Sequence, residues 1–284
     1  MTTTTRPTAA ESGAGATARF KSDKSASAAG ASQERVDLLA REVLDAVHST
    51  IRKHKVTYAE YNAVKAWLIK MGEASEWPLF LDVWIEHVVE QVATEHRKGN
   101  KGTIEGPYYV PGSPDLGSNS RVPMRENEPG TPLTWTGRVT STDGSALAGA
   151  KLEVWHADDD GLYSQFASDI PEWNLRGSFT TDAEGQFEIH TVRPAPYQIP
   201  TDGACGQLIS AAGWHAWRPA HLHVKVSAPG YEQLTAQLYF PDDVHNDDDI
   251  ASAVKPELIL DSRSAPDGAS QTVAYGFVLD PVGS

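Results

Sequence analysis

The hydrophobic period of this chain changes once, near residue 101, and that change limits the folds open to it. From Glu34 onward Val36, Leu39, Val43, Val47 and Ile51 recur at three and four residues, the spacing of one helix face. Thr57 followed by Glu60 has the form of a capping box, and Tyr58, Tyr61, Val64 and Leu68 carry a second helix that ends near Gly72. A third begins around Pro78, a residue suited to a first helical turn, with Leu81, Ile85, Val88 and Val92 on one side. After Gly102 the pattern becomes short alternating runs punctuated by Gly, Pro and Asp. Leu133, Trp135 and Val139 alternate with Thr134, Thr136 and Arg138 before a turn at Asp143-Gly144. Similar runs cover 151–155, 186–192, 220–227, 234–240 and 272–279, and no apolar period of helix length interrupts them. The expected fold class is mainly β with α: a β-sandwich of residues 101–284 preceded by a helical region at 34–100. Residues 1–33 are nearly all Thr, Ala, Ser and Gly with Phe20 as their one aromatic, too little apolar surface to offset chain entropy, and are expected to form a disordered tail.

Composition removes several function classes. The 24 basic and 38 acidic side chains give a net charge of −14, which resides in residues 101–284 and disfavours nucleic acid and anionic membrane as partners. Cys205 is the single cysteine, so there is no intramolecular disulfide and no thiolate cluster, and a reducing compartment is expected. No apolar run of about 18 residues and no secretory apolar core is present, which gives the expectation of a soluble cytoplasmic protein. A Gly-rich phosphate loop between strand and helix is also missing, so nucleotide chemistry has no support.

Chemistry concentrates around Arg218-Pro219-Ala220-His221-Leu222-His223. On a strand His221 and His223 share one face while Leu222, Val224 and Val226 share the other, and two imidazoles opposite an apolar face suit a first-row transition metal. Further ligands must come from elsewhere, and with cysteine almost absent carboxylate and phenolate remain. Asp158-Asp159-Asp160 and Asp247-Asp248-Asp249 lack the alternating spacing of a calcium loop and read as solvated turns. Two tyrosine-centred segments fit better, one after a strand around Tyr163 and one in a proline-framed loop around Tyr197. His156 reads as a hydrogen-bonded structural histidine and Cys205 as a small buried residue, while His215 and His245 lie in polar loops with no partner pattern.

These segments, together with Gly106-Pro107-Tyr108-Tyr109 and Trp155-His156-Ala157, resemble in sequence and order the intradiol ring-cleaving dioxygenases, most of all the actinobacterial type that acts on catechol. The resemblance runs from about residue 34 to the C-terminus. It implies a β-sandwich catalytic domain behind an N-terminal helical dimerisation region. It further implies a non-haem Fe(III) held by two tyrosines and two histidines, which by motif match are Tyr163, Tyr197, His221 and His223. Phenolate is a hard anionic donor and favours ferric over ferrous iron. In the family Tyr197 and His223 correspond to axial ligands and Tyr163 and His221 to equatorial ones, and Tyr197 leaves the metal to accept a substrate proton.

Arg218 and Gln237 match residues that stabilise negative charge on the substrate. On a continuous strand Arg218, three before His221, would face away, so a turn at Pro219 must redirect it. Leu79, Asp82, Ile104, Gly106, Pro107 and Tyr108 match pocket-lining positions, as does Arg218 itself. The implied reaction is cleavage of catechol by dioxygen to cis,cis-muconate, a step of β-ketoadipate-type aromatic catabolism, by a homodimer that in many members holds a phospholipid at its interface. Chlorocatechol and hydroxyquinol enzymes share the metal motifs and stand as alternatives, while protocatechuate enzymes lack such a helical region. An alternative of another class is a non-catalytic β-sandwich binding module whose tyrosines are aromatic contacts.

Overall fold

A computed structural model describes residues 31–283. The tail expected at residues 1–33 therefore lies outside the described residues apart from its last three, of which Ser32 N-caps the first helix by accepting the Arg35 N–H at 3.2 Å. Helix α1 spans Gln33–His54 and α2 spans Tyr58–Glu73. The capping box at the start of α2 is present in both halves: Thr57 Oγ1 accepts the Glu60 N–H, and Glu60 Oε2 accepts the Thr57 N–H at 2.7 Å. The third helix expected from the apolar period is two short ones, α3 (Trp77–Trp84) and α4 (Glu86–Ala93), broken at Ile85 where φ is −123° and ψ −40°. Periodicity does not see this break, because Leu81, Ile85, Val88 and Val92 keep helical spacing across it. No residue of α1 is buried, and its apolar stripe, with Val43 63% exposed, faces outward. Among the described residues no helix is long and apolar enough to cross a membrane.

The strands follow in order: β1 (Asn119–Arg121), β2 (Pro132–Ser141), β3 (Lys151–His156), β4 (Arg176–Thr180), β5 (Gln186–Val192), β6 (Tyr197–Gln198), β7 (Trp217–Arg218), β8 (His221–Ser227), β9 (Leu234–Tyr239), β10 (Ser262–Ser264), β11 (Gln271–Ala274) and β12 (Phe277–Leu279). One sheet runs β1-β5-β2-β11-β10, with β12 also on β2, and a second runs β4-β3-β8-β9. Together with the N-terminal helices they form the mixed fold expected from the change of period. The single run expected at 272–279 is β11 and β12, both parallel to β2. Between them Gly276 lies so close to β2 that an added Cβ would be 2.4 Å from the Arg138 carbonyl oxygen.

Side-chain alternation builds two cores. Leu152, Val154, Leu222, Val224, Val226, Ala236 and Leu238 point from the second sheet toward Leu133, Trp135, Phe187 and Ile189 of the first, filling the sandwich. Trp155 and the residues of the opposite face of the second sheet look outward onto another cluster, which includes Tyr108, Tyr163, Tyr197, Ile104 and the helical residues Met71, Leu79 and Val83. A helix the apolar pattern does not announce, α5 (Ala204–Ala212), connects β6 to β7 and joins this outer cluster. Its nine residues are too short to establish a period, and its start is held from outside: Glu76 Oε2 accepts the Cys205 N–H at 2.8 Å, and Trp67 Nε1–H donates to the Ala204 carbonyl at 2.8 Å. Gly203 is required at this joint, since a Cβ there would sit 1.4 Å from Glu76 Oε1.

Truncating a wholly buried sandwich residue tests this division. Leu152→Ala is expected to cost about 2–5 kcal/mol of unfolding free energy in a denaturant titration.

Candidate metal centre

The strand β8 delivers the two histidines as its alternation dictates. With Leu222, Val224 and Val226 locked in the sandwich, His221 and His223 must face the outer cluster, and both are buried there. Pro219 has no N–H to continue the ladder, so β8 begins only at His221, and Arg218 belongs instead to β7, which pairs antiparallel with β6 so that Arg218 lies opposite Tyr197. The break at Pro219 thus resolves the facing problem of Arg218. Gln237 on β9 is the register partner of His223 and comes to the same face.

Tyr163 sits on the connection from β3 to β4. Asp158 organises that turn: its Oδ1 accepts the Asp160 and Leu162 N–H groups at 3.0 Å each, and its Oδ2 accepts Arg125 Nη2–H at 2.8 Å. Gly161 has φ +76°, and an added Cβ would lie 2.6 Å from Tyr197 Cβ, so a glycine lets the two tyrosine segments meet. The Tyr163 ring stacks on Tyr108 at 4.3 Å, and Trp155 stacks on His223 at 4.7 Å. Arg176, buried on β4, donates to Ser164 Oγ and to the Tyr108 carbonyl at 2.8 Å each and lies over the Tyr163 ring.

Three polar atoms converge. His221 Nε2 and His223 Nε2 are 3.0 Å apart, and the Tyr163 hydroxyl oxygen is 3.4 Å from the first and 3.1 Å from the second. The Tyr197 ring packs at 5.4 Å from that of Tyr163 and 5.6 Å from that of His221. His221 Nδ1–H donates to the Pro219 carbonyl at 2.7 Å, which leaves its Nε2 with a lone pair aimed at His223. Burial pushes the His221 imidazole down to about 3, with the Arg218 charge adding to the effect, and His223 is held well below its ordinary value for the same reasons together with His221 itself. Both rings are therefore neutral near pH 7. His223 Nδ1 is buried with no hydrogen-bond partner. Burial also raises the Tyr163 and Tyr197 hydroxyls above the usual phenol range, and at Tyr197 the nearby Arg218 works against that rise.

Two neutral imidazole nitrogens and a phenol oxygen that meet in a dry site are a donor set able to close around one cation. Ligand atoms about 2.0–2.1 Å from a common ion, at the angles usual for metals, stand roughly 2.9–3.4 Å from each other, the spacing observed here. The donor set fits a hard transition-metal cation. Among the described residues no group of three or more His, Cys, Asp or Glu could hold a metal ion, so a centre at this point depends on tyrosine.

Several of the other matched positions pack against these residues, while for Pro107 and Asp82 only burial is defined. Gln237 Oε1 accepts from Arg218 Nη2–H and from the Tyr239 hydroxyl at 2.8 Å each, and its Nε2–H donates to the Ile104 carbonyl at 3.0 Å. An added Cβ at Gly106 would stand 3.7 Å from His223 Cε1 and 3.8 Å from Gln237 Nε2. Leu79, Ile104 and Tyr108 share the cluster of Tyr163 and Tyr197, Pro107 is buried, and Asp82 is half-buried on α3 one turn beyond Leu79. Both acidic runs need correction. Asp158 is fully buried in the turn before Tyr163, and Asp249 is buried against Arg218, with Nε–H and Nη2–H each donating to one carboxylate oxygen at 3.0 Å. Burial opposes ionisation of Asp249, but the Arg218 charge and hydrogen bonds hold its carboxyl below the usual range. Sequence reasoning has no signal for either contact, nor for Arg176, because each partner lies far away in the chain. His156 is structural as expected, with Nε2 2.7 Å from Thr191 Oγ1 and Nδ1 2.7 Å from the Ala157 carbonyl, and Cys205 is buried and free.

Known proteins resemble this chain in sequence and fold. A family model described as catechol dioxygenase N terminus matches residues 33–101, and one described as dioxygenase matches residues 104–281. A chlorocatechol 1,2-dioxygenase of Rhodococcus opacus is 41% identical over 252 residues, covering 86% of this chain and 97% of that protein. A catechol 1,2-dioxygenase of Acinetobacter baylyi is 34% identical over 239 residues, covering 80% and 76%. The crystal structure of 3-chlorocatechol 1,2-dioxygenase from Rhodococcus opacus 1CP matches with a TM-score of 0.83 at 43% identity, over 88% of this chain and all of that one. Fold and relatives together define a ring-cleaving dioxygenase. The chain belongs to the intradiol dioxygenase family, enzymes of aromatic catabolism that act on catechol-like substrates, and that membership implies a non-haem iron cofactor.

The buried neutral histidines give stability a defined pH dependence. His156 takes up its proton near pH 6.5 when unfolded, but burial pushes it down to about 4 in the fold, so between these values the unfolded state binds more protons and stability is lost as pH falls. His156→Gln, which can keep the Thr191 bond, is expected to flatten that loss by up to about 1.4 kcal/mol per pH unit, read from unfolding free energies across this window.

Proposed function

We propose that Tyr163, Tyr197, His221 and His223 hold a ferric ion and that the enzyme cleaves catechols between the two hydroxyl-bearing carbons, with chlorinated catechols preferred to catechol itself. The observation that carries this reading is the meeting of the Tyr163 hydroxyl with the Nε2 atoms of two buried neutral histidines. When bound, ferric iron supplies Lewis acidity and one-electron chemistry that make a chelated catecholate reactive toward dioxygen.

The chain's own residues do the rest. Tyr163, His221 and His223 stay in place, each clamped by stacking or by a backbone hydrogen bond. Tyr197 has a second duty. Burial holds its hydroxyl above the usual phenol range, so a Tyr197 phenolate would be a strong base, and its Oη would take the proton of a substrate hydroxyl. Arg218 and Gln237 meet charge that grows on substrate oxygen: Arg218 brings a buried cation, and Gln237 links it to β9 beside His223. Leu79, Ile104, Pro107 and Tyr108 line the approach, exclude water and strengthen these electrostatic interactions, with Gly106 leaving room beside His223. Asp82 on α3 is assigned to the same lining by its motif match alone.

The names of the Rhodococcus opacus relatives favour a chlorinated substrate over the plain catechol expected from the motifs. Steady-state rates with catechol, 4-chlorocatechol and hydroxyquinol decide this point: the highest kcat/KM is expected for 4-chlorocatechol, and a preference for either other substrate would replace the assignment. Tyr163→Phe and His221→Ala should each reduce iron content and turnover by tenfold or more, on the order of the loss expected when a metal site is broken, and weaken the visible phenolate-to-iron absorption. Full iron with normal turnover in either variant would remove the ligand assignment.

The open apolar faces of the helical region support a homodimer. Val36, Val43 and Val47 of α1 and Tyr58, Tyr61 and Val64 of α2 are all exposed, apolar surface that a second copy would cover. Sedimentation is expected to return a dimer, and a monomer at all concentrations would refute the pairing.

A further inference from the structure

The acidic run Asp247-Asp248-Asp249 divides between solvent and core. Asp247 and Asp248 are exposed, and Asp248 sits between two histidines, 3.0 Å from His245 Nδ1 and 3.4 Å from His215 Nε2. Asp249, the next residue, turns inward, and its carboxylate forms a two-point fork with Arg218: Nε to Oδ1 and Nη2 to Oδ2, both 3.0 Å. The two side chains are 3% and 2% exposed.

Arg218 needs such a fork. It lies on a strand of two residues, too short for the ladder to orient a long side chain, and the residue after it is a proline. A carboxylate bonded to both Nε and Nη2 fixes the plane of a guanidinium, which a single hydrogen bond does not. With that edge occupied and Nη2 also donating to Gln237 Oε1 at 2.8 Å, the guanidinium is held in one orientation across the ladder from Tyr197. The carboxylate also balances a buried positive charge that would otherwise stand uncompensated beside the proposed cation. We propose that Asp249 is a positioning residue for ring cleavage, acting through Arg218 by fixing its plane and balancing its charge without touching substrate. This rests on the role given to Arg218 under the proposed function.

Asp249 also accepts the Ala251 N–H at 3.2 Å and the Ala253 N–H at 3.1 Å, so a purely structural duty in this turn is the competing account. A double-mutant cycle on iron-loaded enzyme separates the two. Arg218→Gln, Asp249→Asn and the double variant are compared by kcat at saturating substrate, with iron content and the phenolate-to-iron absorption recorded for each. Asp249→Asn is expected to lower kcat about 10- to 100-fold with iron retained, the usual range for a supporting residue. In the Arg218→Gln background the same substitution should change kcat by less than about twofold, since the residue it acts through is gone. Losses that multiply in the double variant, or an Asp249→Asn enzyme with normal kcat, would overturn the inference. Normal turnover of Arg218→Gln alone would instead overturn the role of Arg218, and this inference with it. Asp249→Glu keeps the charge but displaces the fork by one methylene, and so serves if the amide variant does not fold. Its kcat loss must likewise disappear in the Arg218→Gln background, and a loss that persists there refutes the proposal.

Discussion

The strand β8 is the wall on which both halves of this enzyme lean. Leu222, Val224 and Val226 are fully buried in the sandwich, and that burial leaves His221 and His223 no direction but outward. Because side chains alternate with a period of two, a slip of one residue would send the histidines into the sandwich and the aliphatics into the site. Neighbours on both sides hold the register: Trp155 and Gln237 are the partners of His223 on β3 and β9, and both belong to the site face. Stability of the sandwich and geometry of the centre thus rest on one pleat.

The remaining pieces arrive from separate connections and are joined by polar contacts too expensive to leave unmade in a dry interior. Asp158 ties the Tyr163 turn to Arg125, Arg176 ties Tyr108 to Ser164, and Asp249 ties Arg218 to the turn at 249–253. The helical region takes part through α5, which connects the strand of Tyr197 to the strand of Arg218 and whose start is held by Glu76 and Trp67. A shift of the helices is thereby felt at two residues of the centre. Burial keeps both histidines neutral, raises both tyrosines, and Arg218 is matched with Asp249, so these six residues together carry little net charge.

What the sequence by itself determined is what short-range pattern encodes. The period of α1, the capping box at Thr57, the strand at 186–192 and the common face of His221 and His223 all depend on residues within one or two turns of each other, and all are present. For Tyr163 and Tyr197 the sequence offers two tyrosine-centred segments and a motif resemblance, which carry order along the chain but no distances. Only the tertiary structure decided the rest. The break at Ile85 leaves the apolar spacing intact, and the nine-residue α5, the division of 272–279 into β11 and β12, and the burial of Asp158 and Asp249 each involve a partner distant in sequence. An aspartate in a run of three reads as solvated because its neighbours are. Whether it is buried depends on an arginine 31 residues away, and that arginine faces the site because a proline ends one ladder and another strand starts a second.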